Sequence, residues 1–161
     1  MSEQDRRYEA HILSEERARD SRELTFRSAV LDSLTANIAV LDPDGDIVAV
    51  NGSWRDFAIA NHMHNDDKGL GVNYLAVCRS ARADKNARAA LEGILDVMKG
   101  YRSYFYHEYP CHSPDRQRWF ALRATPLVDY PRFVVVAHED ITERVLAEMA
   151  IRSSNKEIKP D

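Results

Sequence analysis

The chain has 161 residues, of which 44% are hydrophobic and 30% are charged, with only 6 Gly and 6 Pro. This composition excludes disordered, collagen-like and low-complexity proteins, and the length fits one domain with an extra element at each end. The balance of 22 basic against 26 acidic residues gives a net charge of −4, which argues against a general nucleic-acid binder. No apolar run approaches the ~20 residues of a membrane span, and the charged N-terminus is unlike a secretory signal. We therefore expect a cytoplasmic protein with no membrane span.

Mixed-sign charge dominates residues 1–28, which contain no Gly or Pro. Many of these charges lie three or four residues apart, the spacing at which side chains meet on a helix surface. From Leu24 onward the apolar content rises, so the end of the segment has a stripe that it could bury. We predict a charged helix over residues 1–34. Two interpretations remain open: a leader that docks on the domain, or a helix that pairs with its copy in a dimer.

Two short β-rich runs open the globular part of the chain. Ile38–Leu41 and Ile47–Val50 flank the turn Asp42-Pro43-Asp44-Gly45, and this pattern predicts a β-hairpin. Ser53 follows as a predicted helix cap, with aromatic residues at helical spacing behind it.

Helices then give way to strands. An apolar stretch at 72–78 predicts a short helix, and residues 87–98 have one apolar face and end beside a glycine. Three extended stretches follow, at 103–109, 118–127 and 133–137, and the first of them is rich in aromatic residues.

The predicted order is one helix, two strands, three helices, three strands and a last helix, for which Asp140 is the expected N-cap and Glu143 the third helical residue. Three consecutive strands exclude a βαβ series. We predict an α+β fold with one five-stranded antiparallel sheet, helices on one of its faces, and flanking N- and C-terminal helices. The expected divisions are a helical segment at 1–34, a core at 35–139, and an exit helix with a polar tail at 140–161.

Several stretches between residues 30 and 145 stand in a specific order and spacing: IAVLDPDGDIVAVN, NGSWRDFA, GVNYLAVC, RWFALRATPL and VVVAHEDITER. The most specific is the last, an apolar strand that runs into Asp-Ile-Thr-Glu-Arg. In these stretches residues 30–145 resemble the PAS family of sensory domains. The resemblance implies the PAS fold, detection of a small molecule or a partner between sheet and helices, and transmission through flanking helices that dimerise. It also implies a place in a signal-transduction protein, such as one of a two-component system, with an effector domain or partner signalling protein.

The Asp-Ile-Thr stretch marks the expected signal relay. Asp140, Ile141 and Thr142 stand where the last strand becomes the exit helix. A carboxylate there could pair with Arg118 or accept a hydrogen bond from the indole N–H of Trp119, which would tie the helix direction to the sheet.

The expected ligand pocket is apolar with a few hydroxyl and imidazole groups, which suits a small apolar or aromatic ligand. The alternative is that the rings fill the space, and the domain is then a ligand-free protein–protein interaction and dimerisation module. The candidate pocket residues are Trp54, Phe57, Tyr74, Leu91, Ile94, Met98, Tyr106, His107 and Trp119.

The cofactor stays unassigned. Flavin-photoadduct members of the family carry a Cys directly after the Asn of a Gly-x-Asn-Cys motif, and here Tyr74 follows Gly71-Val72-Asn73, so that photochemistry is excluded. The known haem mode takes a His from the long helix, and residues 86–99 contain none, which disfavours haem. His62-Met63-His64 could ligate a metal, but a loop motif of this kind is ordinarily only exposed and polar.

A hydrolase that uses Cys111 with His107 or His112 ranks last among the functions considered. Nothing in the sequence marks an oxyanion hole or an orienting carboxylate, and there is no Cys-x-x-Cys pair for a zinc site at these residues. We therefore expect neither an enzyme nor a metal protein. The leading prediction is a cytoplasmic sensory or relay domain that forms a homodimer through its N-terminal helix, the outer face of the sheet, or both. Whether the chain is a single-domain adaptor or part of a longer protein stays open.

Overall fold

The computed structural model describes residues 2–60 and 69–157, and the chain divides into two units, residues 1–34 and 35–161. The first unit is one helix, in which no residue is buried. Ser2 and Asp5 form a capping box at its start, and Arg7 pairs with Glu3 at 2.6 Å one turn apart. Charge along the helix surface therefore supports the helix without a packed face.

The second unit contains a five-stranded sheet with helices, as the sequence predicts, and the predicted fold class is confirmed. All neighbouring strands pair antiparallel, in the spatial order β2-β1-β5-β4-β3. No helix in the described ranges is long and apolar enough to span a bilayer. The elements are α1 (Glu3–Asp32), β1 (Asn37–Leu41), β2 (Ile47–Val50), α2 (Gly52–Ala60), α3 (Tyr74–Ser80), α4 (Lys85–Met98), β3 (Phe105–Pro110), β4 (Trp119–Pro126), β5 (Val134–Asp140) and α5 (Thr142–Glu157).

Side chains that precede the helices determine where they begin. The carboxylate of Asp84 accepts backbone N–H groups at the start of α4, and Asn73 does the same for α3. The predicted cap at Ser53 is wrong, since α2 already begins at Gly52. Asn51 takes the role: its Oδ1 accepts the Trp54 N–H at 3.0 Å and also the N–H of a β1 residue at 2.9 Å. This buried amide therefore joins the start of α2 to the sheet.

The core lies between one face of the sheet and helices α2, α3 and α4. The apolar face of α4 packs against β3, β4 and β5, as its one-sided pattern predicts. At Gly93 the helix comes so near the sheet that a Cβ would overlap the ring of Phe105. The outer face of the sheet carries the start of α5, which contacts β4.

Candidate functional site

A cavity of about 340 Å³ opens between the sheet and the helices. Its wall is formed by α2, α3, the first half of α4 and the facing side chains of β3, β4 and β5. The volume is near the lower end of those of small-molecule sites, and aromatic and aliphatic groups form most of the wall. Among the residues that line the cavity are Trp54, Phe57, Cys78, Ala90 and Leu122. The space between sheet and helices is therefore not entirely filled by side chains.

The structure brings four of the predicted pocket residues together on this wall. They are Trp54, Phe57, Tyr74 and His107. The prediction from the apolar face of α4 needs a correction, because the cavity reaches α4 only along its first half, at Asn86, Ala87 and Ala90. Ile94 and Met98 are buried in the core, and Leu91 packs against it, without lining the cavity.

Tyr106 and Trp119 do not line the cavity, in contrast to the prediction. Successive side chains of a strand point to opposite faces. On β3 the cavity-facing residue is His107, so Tyr106 lies on the outer face, where its ring is beneath the guanidinium of Arg123 at 5.6 Å. On β4 it is Leu122 that faces the cavity. Trp119 therefore has the opposite orientation. It packs edge-on against a histidine ring of the loop between β3 and β4, with the ring centroids 4.8 Å apart.

The most distinctive group on the wall is one that the sequence analysis missed. His138 of β5 is 8% exposed, and its two ring nitrogens each meet a tyrosine hydroxyl: Nε2 lies 2.8 Å from the Tyr74 oxygen and Nδ1 lies 2.8 Å from the Tyr109 oxygen. Burial lowers the pKa of His138 to about 4, so the imidazole is neutral at pH 7. Burial likewise raises the pKa of both tyrosines. The alternation Val134, Val136, His138 was a usable signal, since it places His138 on the core side of β5.

Among the described residues, Cys78 and His112 each have a local environment of their own. Burial raises the pKa of Cys78 to about 11, so this thiol is protonated at pH 7 and is a weak nucleophile. The ring of His112 packs against that of Trp119, and its Nδ1 accepts a hydrogen bond from the backbone N–H of Arg118 at 3.1 Å. In residues 2–60 and 69–157 no three His, Cys, Asp or Glu side chains group together as metal ligands. His62-Met63-His64 lies outside the described residues.

The start of α5 is held by a short chain of hydrogen bonds. The backbone N–H of Trp119 donates to Thr142 Oγ1 at 3.0 Å, and the Thr142 hydroxyl donates to Asp140 Oδ1 at 2.5 Å. The same carboxylate oxygen accepts the Thr142 N–H, and the N–H of Ile141 donates to the carbonyl of Trp119 at 2.9 Å. Trp119 therefore takes part through its backbone, whereas the prediction invoked its indole.

Asp140 was the predicted N-cap, but it stands one residue before the N-cap position of the structure. The strand extends to Asp140 and the helix begins at Thr142, so the carbonyl of Ile141 accepts the first helical bond, from Val145. Burial acts to raise the pKa of Asp140, but the hydrogen bonds from Thr142 and the charges of Arg116 and Arg118 lower it below the usual value. Arg118 thus acts on Asp140 as a nearby charge.

A family model described as the PAS fold matches residues 31–146. The chain belongs to this family. A curated relative, described as an uncharacterized 104.1 kDa protein in the hypE 3' region of Rhodobacter capsulatus, is 39% identical over 130 residues. The match takes in 76% of this chain and 13% of that protein, so the chain spans a small part of the relative's length.

Solved structures with low identity share the fold. The PAS domain of Bordetella pertussis BvgS has a TM-score of 0.50 at 18% identity, with 89% of this chain and 99% of that chain covered. The phage VqmA–DPO complex has a TM-score of 0.53 at 13% identity, with 88% and 62% covered. At these identities the likeness concerns the fold alone.

The exit helix of this PAS domain has a second attachment, on the outer face of the sheet. Arg144 of α5 donates to Glu108 of β3 at 2.6 Å and to Glu148 one turn on at 2.9 Å. The hydroxyl of Tyr106 also donates to Glu108, at 2.6 Å. The hydrogen bonds from Tyr106 and then from Arg144 lower the pKa of Glu108. The strand that offers Glu108 to α5 on this face offers His107 to the cavity on the other.

Proposed function

We propose that this PAS domain is a sensory and relay module that binds a small, mostly apolar ligand in the cavity and transmits its presence through α5. The receiver is an effector domain or a partner signalling protein. Support comes from the family membership and from a cavity of about 340 Å³ that has polar groups at a few points of an apolar wall.

One observation carries the proposal: β5 joins the cavity to the exit helix within three residues. His138 is part of the cavity wall, and Asp140, two residues further, holds the first residue of α5 through its hydrogen bonds with Thr142. Residues two apart on a strand lie on the same face, so His138 and Asp140 are near neighbours on β5. A ligand that displaces His138 therefore acts on the carboxylate that fixes the start of the helix.

The outer face of β3 provides a second connection. His107 and Tyr109 line the cavity, and Glu108 between them binds Arg144 on α5. The pair is solvent-exposed, with 45% and 39% of the side chains accessible, so its contribution to stability is small. The ion pair matters for a relay because it connects α5 to β3, the strand whose other face lines the cavity.

The test fills the cavity without a ligand. Ala87 is half-buried on the wall, and Ala87→Leu adds aliphatic volume with a good helix former. We expect changed hydrogen exchange at the amides of Thr142 and Val145, whose acceptors are Asp140 and Ile141. The matched control is Ala76→Leu on the exposed side of α3. Equal exchange in all three proteins, with the folded state intact, would contradict the relay.

A homodimer completes the proposal. Several large apolar side chains of α1 are exposed, including Leu24 at 63% and Phe26 at 70%. When a second copy covers a helix surface of this kind, apolar side chains leave water and the free energy of the system falls. The ligand-free interaction module is the second candidate function, and this exposed surface is the observation that favours it. The two candidates separate in the exchange experiment, because only the sensory one makes α5 respond to the cavity.

A further inference from the structure

The chain Tyr74–His138–Tyr109 has a fixed number of hydrogen-bond donors. A neutral imidazole has one N–H and one lone pair. With a hydroxyl at 2.8 Å from each ring nitrogen, one tyrosine must donate to the ring and the other must accept from it. The two hydroxyls and the imidazole together have three donor protons. Two of these make the two hydrogen bonds, and one hydroxyl proton is left over.

The remaining proton belongs to the tyrosine that accepts from the ring. That hydroxyl has a donor to spare, and the hydroxyl at the other end of the chain has lone pairs to spare. All three side chains line the cavity, and in the described part of the protein His138 is the hydrogen-bond partner found for both hydroxyls. A donor kept from water and left unpaired costs about 1–3 kcal/mol. The cavity therefore offers one donor and one acceptor to whatever occupies it.

The position of the donor is not fixed by the protein. The imidazole proton can be on either nitrogen, so the spare hydroxyl proton can be on Tyr74 or on Tyr109. A ligand with an acceptor at one end selects the matching tautomer. The hydrogen-bonded Tyr74–His138–Tyr109 chain can therefore bind a polar group of the ligand in either of two orientations. In both orientations the ligand has to supply a polar group.

The described part of the wall disfavours a charged ligand. None of the described residues lining the cavity is a Lys or an Arg. Asp84 is exposed at its edge, where its carboxylate already accepts the N–H groups of Asn86 and Ala87. An anion would lose its hydration without a counter-charge, which is costly, whereas the rings of Trp54 and Phe57 favour a flat apolar body.

We infer that the cavity selects an uncharged aromatic molecule of one or two rings that carries a hydroxyl or carbonyl group, and that the Tyr74–His138–Tyr109 chain recognises this group. The inference rests on the proposed sensory function and specifies its ligand class. Tyr74 and Tyr109 determine specificity, and His138 connects them.

The experiment measures binding of three probes of similar size to the full chain by calorimetry. 4-Hydroxyacetophenone has a hydroxyl and a carbonyl, 4-ethyltoluene has neither, and 4-hydroxybenzoate is an anion. We expect 4-hydroxyacetophenone to bind about tenfold or more tightly than either of the others, since each well-made hydrogen bond contributes up to about a factor of ten. Equal or tighter binding of 4-ethyltoluene or 4-hydroxybenzoate, or no binding of any probe, overturns the ligand class.

Tyrosine-to-phenylalanine variants test which hydroxyl groups bind the polar group of the ligand. Tyr74→Phe and Tyr109→Phe each remove one hydroxyl and should weaken 4-hydroxyacetophenone about tenfold. Tyr104→Phe is the matched control, because this tyrosine is 62% exposed beside β3. Unchanged affinity in both hydroxyl variants overturns the assignment.

The unmodified protein gives an independent measurement if a variant fails to fold. The 15N shifts of the His138 ring report which nitrogen holds the proton, and we expect 4-hydroxyacetophenone to change them and 4-ethyltoluene to leave them unchanged. Unmoved shifts at saturating 4-hydroxyacetophenone overturn the assignment. If all probes fail while Ala87→Leu still alters α5, only the ligand class is wrong. If the probe binds and α5 does not respond to Ala87→Leu, only the sensory function is wrong.

Discussion

The neutral, buried state of His138 makes the stability of the domain depend on pH in a window that can be calculated. Burial lowers the pKa to about 4 in the folded protein, against the ordinary value of 6.5. Above pH 6.5 the ring is neutral in both states and contributes no difference. As the pH falls below 6.5, the unfolded chain binds a proton that the folded protein does not, so the free energy of unfolding decreases.

The magnitude follows from the two pKa values. Linkage gives a loss of about 2 kcal/mol at pH 5 and about 3 kcal/mol at pH 4, where the folded protein also begins to bind the proton. Tyr74 and Tyr109, which contact the ring, have pKa values raised by burial and stay protonated throughout. A loss of this size is a large fraction of the 5–15 kcal/mol typical of a domain.

The assay is urea unfolding, followed by tryptophan fluorescence at several values between pH 7 and pH 4. His138→Gln removes the titrating group and keeps a side-chain amide. Because carboxylates also titrate in this range, the quantity of interest is the difference in free energy of unfolding between the two proteins. We expect the advantage of the wild type over His138→Gln to shrink by about 2 kcal/mol from pH 7 to pH 5. His11→Gln, on the surface of α1, controls for the loss of one imidazole.

A constant difference between pH 7 and pH 5 would refute the reasoning, because it would mean that His138 binds its proton equally well in the folded protein. A difference that grows as the pH falls would mean that the folded protein holds the charged ring, and the sign of the burial effect would then be wrong.

Three further predictions concern packing, the start of the exit helix and assembly. Gly93→Ala should lower the free energy of unfolding by about 1–3 kcal/mol in chemical denaturation, because overlap with Phe105 outweighs the helix propensity gained; a more stable variant would contradict the packing of α4. Asp140→Ala should cost about 1 kcal/mol in the same assay and speed hydrogen exchange in the first turn of α5, and unaltered exchange would count against its role there. Leu24→Glu with Leu31→Glu, one heptad apart on α1, should give monomers in analytical ultracentrifugation, and an unchanged sedimentation coefficient would exclude that surface as the contact.

Much of the fold could be predicted from local pattern. The turn between the first two β-rich runs, the one-sided apolar pattern of α4 and the mixed charge of α1 each specify an element without reference to the rest of the chain. The predicted ends of helices and strands were less accurate where a contact with residues far along the sequence determines them. The start of α2 is one case, since Asn51 is held there by hydrogen bonds to β1 as well as by its own helix.

The candidate site was only partly predictable. Trp54, Phe57, Tyr74 and His107 line the cavity, but β3 has aromatic residues on both faces. With no contrast in hydrophobicity along that strand, its pattern does not tell which set faces the helices, so the neighbours Tyr106 and His107 were both candidates. The hydrogen bond between Tyr74 and His138 joins residues 64 positions apart, so nothing local indicates it.

The sequence by itself thus determined the element order and the flanking helices, because periodicity and turn chemistry are properties of neighbouring residues, and its resemblance to the PAS family implied the fold. Only the tertiary structure decided which side chains meet in the cavity. The reason is that strand pairing and helix docking set the phase of each strand, and that phase decides whether an imidazole is exposed to water or enclosed between two tyrosines.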